Sequence, residues 1–187
     1  MSIIERVVLN IKNKGTGAGG KNTNKNGLLY EKMTDLSSYY RIIKNNKHSD
    51  DIIFNNDNIV FLRVKKANLF KCMNKEMNKQ IHKAHGCKRP DECYINQGTN
   101  TIFIIEKKFQ QRSGSVCEKI QTSDFKIWQY SRTFPKYKIV YIYSLSNWFR
   151  ENCKAEIEYL QTKNIPIFWG DSDTYKNDII NFLISYK

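Results

Sequence analysis

PDECYINQGTNTIFIIEKK, residues 90–108, is the stretch that decides the fold. Two runs of strand-forming residues, Glu92 to Asn96 and Thr101 to Ile105, flank the turn-forming cluster Gln97-Gly98-Thr99-Asn100. The pattern predicts a β-hairpin turning about Gly98 and Thr99, in which Asn96 faces Thr101 and Asp91 faces Glu106. Directly opposed Cβ atoms in such a pair lie about 5 Å apart, and like charges there repel unless a cation sits between them. Side chains alternate along a strand, so Lys108 shares a face with Glu106 while Lys107 points to the other. Two carboxylates and one ammonium group are thus expected to converge. Hard oxygen donors of this kind suit Mg²⁺, with Mn²⁺ as a substitute, and such an ion activates water against a phosphodiester. Asp91 and Glu106 are the expected metal ligands, the Lys107 backbone carbonyl a further one, and Lys108 the group that orients the nucleophile and stabilises the transition state.

Upstream of the hairpin, Ile4, Val7, Val8 and Ile11 recur at helical spacing. A glycine-rich polar stretch over 13–27 is read as a loop that could contact DNA. Leu28, Leu29, Met33, Leu36, Tyr40 and Ile43 predict a second helix ending near Asn45. Asp51 to Phe54 and Ile59 to Val64 read as a hairpin, and Phe70, Met73, Met77 and Ile81 as one core face of a helix. Downstream, Ser113-Gly114-Ser115 reads as a helix start, with Val116 to Trp128 continuing towards Pro135. A buried-type strand over Lys138 to Ser144, a helix through Trp148 and Leu160, a strand over Ile165 to Trp169 and a closing helix from Tyr175 complete the chain. This order predicts a single α/β domain over 1–187, a mixed β-sheet with a central catalytic hairpin flanked by helices.

Composition narrows the classes of function. The 187 residues carry a formal charge of +13, which favours a polyanionic partner, although a lysine-rich and asparagine-rich usage typical of an AT-rich genome would also raise it. The longest apolar runs are too short to span a bilayer, and the first twelve residues lack the apolar centre and cleavage site of a signal peptide, so a cytoplasmic, intracellular protein without membrane contact is expected. Five cysteines at irregular spacing fit reduced thiols rather than a disulfide framework. His82, His85, Cys87 and Cys93 do not match the usual zinc spacings. Gly15 to Gly20 lacks the lysine-serine end of a phosphate-binding loop.

Pro90-Asp91, a spacer and Glu106-Lys107-Lys108 together resemble the PD-(D/E)xK signature of restriction endonucleases and related nucleases. The resemblance implies a restriction-endonuclease-like core. It also implies an acidic ligand on the preceding helix, for which Glu31 is the matching residue. The segment from Lys108 to Ile120 and the loop from Gly19 to Gly27 are similar to corresponding regions of small type II enzymes, which places Gln110 near the reacting phosphate and Ser113, Ser115 and Lys119 at a helix start facing DNA. Lys21, Asn22, Asn24, Lys25, Lys88, Arg89 and Arg112 are further candidates for DNA contact, being polar or basic residues expected on loops. A second acid-x-lysine triplet, Asp124-Phe125-Lys126, has no acid on a paired strand and is read as a solvated helix face.

The leading expectation is a site-specific, Mg²⁺-dependent type II restriction endonuclease acting on double-stranded DNA as a homodimer. The alternatives are a junction-resolving or repair nuclease of the same superfamily, and a non-catalytic basic module that binds nucleic acid.

Overall fold

The computed structural model describes residues 21–54, 57–65, 68–77, 80–112 and 116–186. The expected N-terminal helix, the first part of the glycine-rich stretch, Ser113 and Ser115 lie outside them. Helix α1 (Lys21–Met33) comes first, followed by a 3₁₀ turn (Ser37–Tyr39). Strands β1 (Tyr40–Asn45), β2 (Ser49–Phe54) and β3 (Val60–Val64) precede helix α2 (Leu69–Glu76). The hairpin strands β4 (Glu92–Asn96) and β5 (Thr101–Lys108) follow, then helices α3 (Val116–Ile120) and α4 (Ser123–Thr133). Strand β6 (Lys138–Leu145), helices α5 (Trp148–Asn152) and α6 (Lys154–Thr162), strand β7 (Ile167–Trp169) and helix α7 (Tyr175–Ser185) close the chain.

The strands form one seven-stranded mixed sheet in the order β1 to β7. Its first five strands are antiparallel neighbours, whereas β5, β6 and β7 run parallel. The change falls at β5 because α3 and α4 carry the chain back before β6, as a parallel connection requires. Alternation along the central strands feeds two cores. Cys93, Ile95, Ile102, Ile104, Tyr141 and Tyr143 pack on one face under residues of α2 to α6. Tyr94, Phe103, Ile105, Val140 and Ile142 pack on the other, with Leu36 and the apolar side of α7. The α/β class and the sheet flanked by helices agree with the reading of the sequence.

Several local expectations are corrected. Lys21 to Gly27, assigned to a loop, belong to the first turns of α1. The helix expected to run on to Asn45 stops at Met33, and Tyr40 to Asn45 form an edge strand paired antiparallel with β2. That strand is exposed along nearly its whole length, so it carries no two-residue alternation to betray it. The expected helix after residue 115 divides at Gln121 and Thr122, and that through Trp148 and Leu160 divides at Cys153.

Cys117 and Cys153 form a disulfide, contrary to the expectation of reduced thiols throughout, while Cys72, Cys87 and Cys93 are buried free cysteines. The bridge depends on the packing of α3 beside the junction of α5 and α6, which brings Cα atoms 36 residues apart in sequence to 5.9 Å. Among the described residues, no helix is long and apolar enough to cross a membrane.

Candidate active site

The hairpin register is set by pairs from Asn96 and Thr101 to Glu92 and Ile105. Asp91 therefore stands one residue beyond the ladder. Its Oδ2 accepts the Lys107 backbone N–H at 2.8 Å, taking the place of a strand partner at the open end of the hairpin. Strand parity does the rest: Glu106 and Lys108 turn to the face covered by α3 and α4, and Lys107 to the opposite face.

Glu106 is half-buried and receives two ammonium groups on one oxygen. Lys108 Nζ lies 2.6 Å and Lys126 Nζ 3.2 Å from Oε1. Burial alone would raise the pKa of this carboxyl, but the charges of Lys108 and Lys126 outweigh it and hold the group below the usual range. Asp91 shifts the other way, although the residue is exposed at the end of the hairpin. Burial raises it first and the charge of Glu106 next, against a smaller pull from Lys108 and the Lys107 amide, and Glu31 adds to the rise. Two carboxylates thus share one electrostatic environment from different elements, with the lysines outweighing burial at Glu106 but not at Asp91.

Lys126 is the residue missed in the sequence. The triplet Asp124-Phe125-Lys126 is not a solvated face: Lys126 reaches Glu106, and its own pKa is lowered, foremost by burial and further by Lys108. Asp124 turns away to the Tyr159 hydroxyl and to Lys163. The acid-x-lysine spacing was the available signal, and its lysine, not its acid, belongs to the site. Tyr141 and Tyr143 on β6 are buried beside Glu106, and Tyr143 donates to the Ile120 carbonyl. These rings are packing, not a surface for stacking bases.

On the opposite face, Lys107 makes a buried anchor. Its Nζ lies 2.7 Å from Glu92 Oε2 and donates to the carbonyls of Thr34 (3.1 Å) and Glu31 (3.4 Å), fastening the end of α1 to the sheet. Glu92 is half-buried and also accepts from the Tyr94 hydroxyl. Tyr30 holds α1 further up, with its hydroxyl 3.4 Å from Ser144 Oγ and its ring against Phe109. Glu31 itself is exposed on α1, close enough for its charge to act on Asp91.

The other candidates are spread around this centre. Lys88 and Arg89 are exposed just before β4, and Lys88 lines a cavity of about 320 Å³ together with His85, Glu106, Phe125 and Lys126. Gln110 is committed to structure, exchanging hydrogen bonds with Ser146 at 3.1 Å through its backbone and donating from its side chain to the Arg112 carbonyl. Arg112 and Lys119 are exposed. Lys21, Asn22, Asn24 and Lys25 lie at the start of α1.

Among the described residues, the group of three potential ligands whose donor atoms all lie within 4.8 Å is Cys117, Cys153 and Glu156, and both sulfurs there are joined in the disulfide. Compared with family models, curated proteins and solved structures, the chain has no match in any of the three.

Proposed function

We propose that the chain is a Mg²⁺-dependent DNA endonuclease with a restriction-endonuclease-like core, cutting double-stranded DNA at defined sites. The observation that carries this reading is the meeting of Asp91 and Glu106 at the open end of the hairpin, where Asp91 accepts the Lys107 amide at 2.8 Å next to Glu106, Lys108 Nζ lies 2.6 Å from Glu106, and the charge of Glu106 helps to raise Asp91. Mutual repulsion of two carboxylates is the local signature of a site that a divalent cation would relieve. The donor set fits that ion, because Asp91 and Glu106 offer hard carboxylate oxygens. Asp91 and Glu106 would hold Mg²⁺, with Glu31 on α1 as the further carboxylate. When bound, the ion supplies Lewis acidity at the phosphate and a lowered pKa for water.

The remaining work belongs to the chain. Lys108 exchanges its contact with Glu106 for the scissile phosphate and the attacking water, placing positive charge where negative charge develops. Lys126 stays on Glu106 and keeps that carboxyl ionised. Lys107 holds α1 in register with β5, so that Glu31 and Asp91 keep their spacing. The surplus of +13 draws the polyanion to the surface.

Incubation of phage DNA with the protein and Mg²⁺ tests the reading. Discrete fragments are expected, abolished by EDTA and by Asp91→Ala, Glu106→Ala or Lys108→Ala, while retardation of the same DNA in Ca²⁺ persists. Intact DNA with the native protein would reject the enzymatic reading, and a smear would reject site specificity. A second reading, a nuclease for branched or damaged DNA, is favoured by the exposed rings of Phe125 and Trp128 on α4. It predicts faster cutting of a four-way junction than of linear duplex.

A further inference from the structure

Helix α4 exposes two large aromatic side chains beside the cavity at Glu106. Phe125 and Trp128 are 59% and 52% exposed, and their rings stack 5.7 Å apart at 21°. The Arg132 guanidinium lies over Trp128 at 5.5 Å to the ring centre. Spacings of three, four and seven residues align these three side chains along one side of the helix. The core does not require them there, because Ile127 and Tyr130 supply the inward packing of α4. Phe125 also lines the cavity, together with Glu106, Lys126 and Lys88. At about 320 Å³ its volume lies within the range of small-molecule sites, about 300–1,000 Å³.

Flat apolar rings interleaved with ammonium and guanidinium groups complement a nucleotide, the phosphate meeting the cations and the base face meeting the ring. A base inside a duplex has both faces covered by its neighbours. It reaches such a ring only after leaving the stack. A second copy of this chain is a poorer occupant: it would set Lys88, Lys126 and Arg132 against their own counterparts, each chain carrying +13.

We infer that Phe125 and Trp128 hold an unstacked nucleobase beside the scissile phosphate, so that DNA with an unpaired base at that position is bound in preference to perfect duplex. The place of the phosphate rests on the nuclease reading above. The base-holding face is tested without catalysis.

Fluorescence polarisation in EDTA, with labelled duplexes that differ only in one central mismatch, measures the preference. The native protein is expected to bind the mismatched duplex about tenfold more tightly, the scale of one base–aromatic stack. Phe125→Ala and Trp128→Ala should each remove most of that difference and leave perfect-duplex binding unchanged, whereas Trp128→Phe should retain it. Both side chains are exposed, so native circular dichroism is expected in every variant. Equal native affinity for the two duplexes, no binding of either, or a preference that survives both alanine substitutions would overturn the inference. So would a dimer in sedimentation that Trp128→Ala dissociates, which would give the face to a second copy. Preferential binding with no cleavage in Mg²⁺ would remove the nuclease reading and leave the base-holding face. Cleavage by the native protein with no preference in binding would do the reverse.

Discussion

Asp91 and Glu106 occupy one site yet differ in what their charges do to stability, and that difference can be measured residue by residue. Asp91 has a folded pKa above its unfolded value, so whatever stability its carboxyl contributes is present in acid and lost as pH rises through the folded pKa. At neutral pH its charge is a burden on the metal-free fold. Asp91→Asn keeps an acceptor for the Lys107 amide and is expected to melt no lower than native in EDTA, while losing all cleavage. Added Mg²⁺ should raise the native melting temperature and leave that of the variant unmoved. Glu106 has the opposite sign. Its folded pKa is depressed, so its contribution is present above the unfolded value and fades as pH falls through the folded one. Glu106→Gln strands Lys108 and Lys126 and should lower stability at pH 7 by about 1–2 kcal/mol in urea unfolding, the cost of unpaired, partly buried groups. The identity of this pair was legible in the sequence because alternation and turn position are local. Lys126 was not, since only tertiary packing of α4 against β5 brings it within reach.

Elements explain what single residues do not. The end of α1 is seated by Lys107 and by Tyr30, and Tyr30 fits because residue 170 is glycine: a Cβ there would lie 2.1 Å from the Tyr30 hydroxyl and 2.7 Å from Thr34 Cγ2. Gly170→Ala is therefore expected to cost about 1–3 kcal/mol by overpacking and to reduce cleavage by displacing Glu31. Thermal unfolding and initial rates on one preparation would check both. Behind β5, the Cys117–Cys153 bridge ties α3 to the α5–α6 junction. Reduction with dithiothreitol should lower stability by about 2–4 kcal/mol in denaturant unfolding, as closure of a loop of this length implies. The hairpins β2–β3 and β4–β5 could be read in advance because each pairs neighbouring segments around a turn cluster. Strand β1 could not. Leu36, Tyr40 and Ile43 fall at helical spacing by coincidence, and Ile42 and Ile43 are exposed on the sheet edge rather than alternating inward. The disulfide was equally hidden, because cysteine spacing says nothing of which helices will meet.

At the scale of the whole molecule, the mixed sheet divides its labour between two faces. One holds Glu106, Lys108, the cavity and the exposed rings of α4, and the other holds the anchor of α1. The fold class followed from the order of strands and helices, whereas the place where antiparallel pairing gives way to parallel, at β5, required the full topology. The net charge acts at this scale as well. DNA affinity should fall steeply and log-linearly between about 50 and 200 mM salt, with a slope that Lys88→Ala and Arg112→Ala each reduce by about one unit if each side chain meets one phosphate. The expectations for cleavage and for stabilisation by Mg²⁺ depend on a divalent ion held by the two carboxylates. Anomalous diffraction from a crystal grown with millimolar Mn²⁺ tests that directly: a peak bridging Asp91 and Glu106 is expected, and a crystal with no peak there at that concentration would contradict the metal site.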